Sequence, residues 1–186
     1  ELRANANTQC VGACLGAERS ASLGVVHVTA DETESDVLVR RSLTFSRAAV
    51  VPVPNLNDTK EAEGDQAARL VAAEAARTLQ TYQAVERGER IERVLIAGGT
   101  GVEAMVAQGL TRRLGIRCER LNPAEPLNLA DDGEASGFIT ALGLAVGGAG
   151  SELPLDFLNP KRPAQRVDWP RRRRTVIAAG VAALVV

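Results

Sequence analysis

Four consecutive residues, Gly98-Gly99-Thr100-Gly101, follow the short apolar run Ile91–Ala97 and precede Val102–Leu114, whose apolar residues recur at helical spacing. A strand, a glycine turn and a helix in that order give a backbone that a ligand can approach closely, with the free N–H groups of a helix start turned toward it. That arrangement is compatible with a nucleotide. No Lys-Ser or Lys-Thr pair follows, so the turn is not a P-loop, and its surroundings lack the wholly parallel context of a dinucleotide fingerprint. A plain tight turn satisfies the same pattern, and both readings stand on the residues alone.

The other residue types that carry chemistry are sparse. His27 is the one histidine, set in a strand pattern, where an ordinary strand residue is the plainer reading than a ligand. Cys10, Cys14 and Cys118 show no metal or disulfide spacing. Cys10 and Cys14 are four apart and share a helix face, yet two ligands do not make a zinc site, so free buried thiols are expected. No catalytic residue and no metal ligand is assigned.

The elements that position the turn follow from composition and period. The chain is 45% apolar but 3% aromatic, so its core must come from Ala, Val, Leu and Ile. Leu2–Ala6 alternates as a weak strand, and Thr8–Arg19 reads as a short helix. From Ser22 come three strands: Val26, Val28 and Ala30 alternate with polar residues, Asp31–Ser35 turns, Asp36–Arg40 returns, and Leu43–Val51 follows a tight connection at Arg41-Ser42. Pro52 and Pro54 end the third. Gln66–Val85 is a helix with Ala67, Leu70, Val71, Ala75, Leu79 and Tyr82 inward, stopped by Gly88. After the glycine turn and its helix, Ile116–Leu121 is a strand, Asn122–Gly133 a loop, and Ala135–Val146 a helix through Phe138, Ile139, Leu142 and Val146. Gly147, Gly148 and Gly150 read as a hinge.

From Ser22 the order is βββαβαβα. The expected class is therefore α/β, a mixed five-stranded sheet with helices on both faces, in the order of the ribonuclease-H-like fold that also forms each half of actin-like ATPases.

Charge bounds the partners. The net charge is −1, and without the four arginines at 171–174 it is −5. The mildly acidic body argues against a nucleic-acid binder. Those arginines stand directly before Thr175–Val186, which carries no charge. A span needs about 20 residues and the sequence ends inside the run, so this reads as the start of a truncated transmembrane helix. Arginines before an apolar run place Glu1–Arg174 on the cytoplasmic side. A buried C-terminal helix with a basic cap is the alternative.

Val94-Leu95-Ile96-Ala97-Gly98-Gly99-Thr100-Gly101 resembles the adenosine motif of the actin-like ATPase superfamily. With Leu43-Thr44-Phe45-Ser46-Arg47, Ala76–Tyr82, Ile91–Val94, Leu121-Asn122-Pro123 and Ala141–Ala145, the stretch Leu23–Val146 resembles the C-terminal half of PilM-type pilus assembly proteins. Leu155-Asp156-Phe157-Leu158-Asn159-Pro160, with the arginines and apolar run, resembles the start of a PilN-type partner or the membrane-linking part of a GspL-type secretion protein, which suggests a fusion. The resemblance implies residues 1–21 as the end of a preceding actin-like half (strand plus helix) and 22–147 as the C-terminal half-domain. It further implies 148–170 as a Gly/Pro-rich linker with a docking-type segment, and 171–186 as the basic stop and membrane segment.

It also implies ATP at Gly98, Gly99, Thr100 and Gly101, with Mg²⁺ only where ATP binds. Leu155, Phe157 and Leu158 become the partner-binding residues. The implied partners are pilus or secretion inner-membrane proteins, the membrane, and a second copy of the chain. Two departures weaken the nucleotide site. Where the family has an Asp-x-Gly motif at the end of the first strand, this sequence has His27, Val28 and Thr29, and an imidazole does not replace a carboxylate at Mg²⁺; Asp31 compensates only if the register slips. The stretch Val51–Gly64 is too short for the subdomain that helps cover adenine. The expected function is a membrane-tethered scaffold at the cytoplasmic face of the bacterial inner membrane, in a type IV pilus or type II secretion-like platform, with a degenerate nucleotide site. The alternative is an active actin-like ATPase or kinase. A ribonuclease-H-type nuclease has only Glu74 in a suitable place, with His27 and Ala97 where acids are needed.

Overall fold

The computed structural model describes residues 2–15, 22–54, 61–85, 89–130 and 134–149. Leu155, Phe157, Leu158, the arginines at 171–174 and the apolar run after them lie outside the described residues. The elements are α1 (Leu2–Leu15), β1 (Ser22–Val28), β2 (Glu32–Val39), β3 (Ser42–Val50), α2 (Glu61–Val85), β4 (Arg93–Gly98), α3 (Glu103–Leu114), β5 (Arg117–Arg120) and α4 (Ile139–Ala149), the last entered through a 3-10 turn at Ala135–Phe138. The five strands form one mixed sheet in the order β3-β2-β1-β4-β5. β1 runs antiparallel to β2 and parallel to β4, and β4 is parallel to β5. The expected βββαβαβα order is present from Ser22 onward.

All seven residues of β1 are buried, because helices cover both faces of the central sheet. Val26, Val28, Val94 and Ile96 face α2 and α3, packing on Val71, Ala75, Leu79, Val106 and Leu110. Leu23, Val25, Leu95 and Ala97 face the other way, toward Cys10 and Val11 of α1 and Ile139 of α4. Alanines along α2 bring that helix close to the sheet and to α3, which is how a core poor in aromatics fills its volume. Leu70, expected inward, is 55% exposed, since Ala68 and Val71 take the inner face of that turn.

Several local expectations are corrected. Leu2–Ala6 is not a strand but the first part of α1. Alanine favours helix, and the Thr8 hydroxyl donates to the Ala4 carbonyl at 2.8 Å, a bond between successive turns. The first hairpin turns earlier than Asp31–Ser35. Thr29 closes it, its N–H and hydroxyl both donating to the Glu32 carbonyl at 3.0 and 2.9 Å. Asp31 is thereby an exposed turn residue outside the β1 ladder. The second hairpin turns at Arg40 and Arg41, both left-handed (φ 50° and 69°), a pair of values suited to two-residue hairpin loops. α4 continues through Gly147 and Gly148, which the sequence suggested for a hinge; Gly147 is buried.

α1 and α4 make the tightest helix contact. A Cβ added to Gly143 would lie 1.7 Å from the Ala6 carbonyl oxygen, so only a glycine permits this backbone approach. At Gly148, on the same helix, a Cβ would meet nothing within 4 Å. Gly143→Ala is therefore expected to push α1 off α4 and destabilise by about 1–3 kcal/mol in urea denaturation, as overpacking against rigid backbone does. Gly148→Ala, read in the same assay, is expected to be neutral or to stabilise by about 0.5–1 kcal/mol.

Candidate functional site

β4 delivers the glycine turn at its C-terminal end. Gly98 ends the strand at φ 156°, and Gly101 is left-handed at φ 89°. A Cβ on Gly98 would come within 2.5 Å of both the Val28 carbonyl oxygen and Glu103 Oε1. Residue 98 must be glycine because backbone lies on one side and a buried carboxylate on the other. Behind the turn, a Cβ on Gly137 would lie 3.1 Å from the Gly99 Cα, so the 3-10 turn before α4 closes the inner side.

The N–H groups of Gly98, Thr100 and Gly101 and the Thr100 hydroxyl are already engaged. Gly98 N–H donates to Ser136 Oγ at 3.3 Å. Thr100 N–H and Gly101 N–H donate to the two oxygens of Glu103 at 2.7 and 2.9 Å, and the Thr100 hydroxyl donates to Oε1 at 2.8 Å. Glu103 is the first residue of α3 and only 2% exposed. Its carboxylate sits at the start of α3, held by hydrogen bonds from the turn before it. The protein's own carboxylate thus takes up the N–H groups of Thr100 and Gly101. What remains open to solvent is the rim, at Gly99 and Gly101. A rim without bulky side chains suits flat contact with a ring system, as the resemblance implies for adenosine, and not the clasping of phosphates.

All four predicted residues, Gly98, Gly99, Thr100 and Gly101, are thus together at one end of the sheet. Val28 pairs with Gly98 across the parallel ladder, so the end of β1 and the glycine turn are neighbours. His27, one residue earlier, does not point out of that end. It pairs with Ala97 and Glu34 and is buried on the face covered by α1 and α4. Glu74 lies on α2 in an ion pair with Arg77. Cys10, Cys14 and Cys118 are free thiols. Among the described residues no group of three or more His, Cys, Asp or Glu is arranged to hold a metal ion, and no helix is long and apolar enough to cross a membrane.

Sequence reasoning missed Glu103, Ser136 and Gly137. Glu103 was findable: Thr100-x-x-Glu103 has the spacing of a capping box, in which the glutamate reaches back to the N–H of the residue three before it. Ser136 and Gly137 carry no local signal, because they meet the turn across 38 residues of chain.

A second polar group lies under α1. The Asn7 amide donates to Glu34 at 3.2 Å, and the Thr140 hydroxyl of α4 donates to Asn7 Oδ1 at 2.8 Å, tying α1, α4 and β2 together. Beside Glu34 on the same face of β2 is Asp36, 1% exposed, with neither carboxylate oxygen in a well-formed hydrogen bond. Burial pushes its pKa up to about 7; the nearby Ser46 hydroxyl and Asn7 amide pull it back, and the Glu34 charge adds to the rise.

The fold defines the class: α/β, a mixed five-stranded sheet with helices on both faces, in the ribonuclease-H-like/actin-like fold. The chain is similar in structure to the PilM-PilN type IV pilus biogenesis complex, with a TM-score of 0.57 and 22% identity over 78% of this chain and 51% of that one. It therefore spans about half of the chain it matches. More distant are component A of (R)-2-hydroxyglutaryl-CoA dehydratase from Acidaminococcus fermentans (TM-score 0.49, 10% identity, 77% of this chain and 66% of that) and the ethanolamine utilization protein EutJ from Carboxydothermus hydrogenoformans (TM-score 0.44, 12% identity, 75% and 53%). No protein-family model matches the chain, and no curated protein sequence does.

Asp36 makes stability depend on pH with a definite sign. Unfolded, it ionises near its ordinary value; folded, it keeps its proton up to about pH 7. The contribution of Asp36 to stability is therefore greatest below about pH 4, falls as pH rises from there to about 7, and then levels, an effect on the order of 4 kcal/mol at most. Urea titrations across that range check it. Asp36→Asn is expected to flatten the profile and to be more stable than the parent at pH 8, the two converging near pH 4.

Proposed function

We propose that this protein is a scaffold of a type IV pilus-type or related type II secretion assembly platform, held at the cytoplasmic face of a bacterial inner membrane, with an actin-like fold whose nucleotide site is not equipped for hydrolysis. The observation that carries the degenerate site is β1 (Ser22–Val28), which holds no carboxylate at its end beside the turn. Phosphoryl transfer relies on positioned metal and phosphate contacts. At the end of β1 the residue in the acid's place is a buried imidazole, His27. Residues Gly98, Gly99, Thr100 and Gly101 remain the ATP-facing rim of this reading, with Mg²⁺ arriving only on the nucleotide.

The pilus assignment is supported by the fold likeness to the PilM-PilN type IV pilus biogenesis complex. In this reading residues 1–21 close a preceding half, 22–147 form the half-domain, 148–170 link it to the membrane, and 171–186 begin the anchor. Leu155, Phe157 and Leu158 dock on a pilus or secretion inner-membrane protein, or on a second copy, just before the bilayer. An active actin-like ATPase or kinase is the second reading, favoured by one observation: the pairing of Val28 with Gly98, which keeps the β1 end beside the turn.

Full-length protein mixed with ATP and Mg²⁺ is expected to show no turnover approaching about 1 s⁻¹, the low end of ordinary enzymes. Mg²⁺-dependent hydrolysis at that rate, lost in Gly99→Val, would install the ATPase reading instead. The anchor is checked separately by fractionating cells that express the full-length protein. The parent is expected in the membrane fraction and a form lacking residues 171–186 in the soluble one; unchanged partition of the two removes the tether.

A further inference from the structure

Away from the glycine turn, α2 and α3 diverge to leave an open groove of about 530 Å³. The helices touch at its floor: a Cβ on Gly109 would sit 2.9 Å from the Ala72 Cβ, so the absence of a side chain at 109 lets them meet there. From that contact the walls rise along two helical stripes. Asp65, Arg69 and Ala72 recur at spacings of four and three on α2; Met105, Gly109 and Arg112 recur at four and three on α3, with Arg113 beside them. Three guanidinium groups therefore flank a floor of Ala68, Ala72 and Met105, with one carboxylate among them.

These arginines, like Arg47, Arg90 and Arg120, lack the partners among the described residues that other arginines have. Arg40, Arg77, Arg93 and Arg117 pair with Glu89, Glu74, Glu119 and Glu119 respectively, and Arg41 donates to the Gly12 carbonyl. Arg69, Arg112 and Arg113 take part in no ion pair or hydrogen bond among the described residues, on a chain whose body is mildly acidic. Arg112 and Arg113 lie in the last turn of α3, where cations complement the helix dipole. Arg69, in the interior of α2, has no such reason to face the groove.

We propose that the α2–α3 groove is a docking surface for an acidic segment of a partner protein, its carboxylates held by Arg69, Arg112 and Arg113 and an apolar side chain resting on Ala68, Ala72 and Met105. The forked guanidinium suits carboxylates bidentately. A phosphate ligand is the less favoured occupant. Phosphate sites draw on free backbone N–H groups at a helix start. Here the lining is helix-flank side chains, and Asp65 adds a repelling charge. The inference is independent of the pilus and membrane readings.

The test is fluorescence anisotropy with the full chain and a labelled eight-residue peptide alternating Glu and Leu, against its Gln-Leu twin. The acidic peptide is expected to bind, more weakly as salt rises, and the double variant Arg69→Gln/Arg112→Gln to lose about tenfold or more in affinity. The double variant Arg40→Gln/Arg117→Gln, at two ion-paired arginines outside the groove, is the charge-matched control and should bind like the parent; thermal melts confirm that the variants remain folded. No binding at about millimolar peptide, equal binding of the Gln-Leu twin, or an unchanged affinity in the double variant overturns the proposal. Inorganic tripolyphosphate binding more tightly than the peptide, through the same two arginines, overturns it in favour of a phosphate ligand.

Discussion

The parallel ladder between β1 and β4 is the constraint on which the rest of the molecule depends. Leu23–Val28 and Arg93–Gly98 run side by side at the centre of the sheet, buried on both faces. Parallel strands cannot be joined by a hairpin, so the chain between them must leave the sheet and return. It does so through β2, β3 and the long helix α2, which covers one face on its way back. The same register sets Val28 against Gly98 and fixes where the turn after β4 can lie. Gly98 is squeezed between the Val28 carbonyl and Glu103 because the two strands end level with each other.

Buried carboxylates then show two fates. Glu103 is sealed beneath its own loop, yet two N–H groups, a hydroxyl and a helix start all face it. Its oxygens are thus hydrogen-bonded despite the burial. Asp36 is as deeply buried but faces the apolar underside of α1 without a well-formed hydrogen bond, and the fold answers by raising its pKa. Between them Glu34, Asn7 and Thr140 form a short polar chain that fixes α1 to α4 and the sheet. Such a chain specifies how α1 seats in a way that alanine packing alone does not.

Much of this was legible in the residues. The order of elements from Ser22, the strand before the glycines, the inward stripe of α2 and α3, and the left-handed Gly115 that ends α3 follow from local period and turn chemistry. The misreadings have physical causes. Leu2–Ala6 alternates weakly enough to pass for a strand, but alanine preference and contact with α4 make it helix. Gly147 and Gly148 read as a break, whereas α4 continues through both. Thr33, Glu34 and Ser35 read as a turn because they are polar; as part of β2 they pair with β1 and are buried.

The sequence alone determined which segment could meet a ligand, Gly98–Gly101, since glycine freedom and the strand–turn–helix order are local properties. It also determined that β1 ends in His27 and Val28 with no carboxylate, because identity at a position needs no coordinates. Only the tertiary structure decided that the turn's N–H groups face inward onto Glu103 and Ser136, that His27 is enclosed, and that three arginines converge across α2 and α3. Those outcomes depend on which surfaces meet in space, and contacts between residues tens of positions apart leave no periodicity along the chain to read.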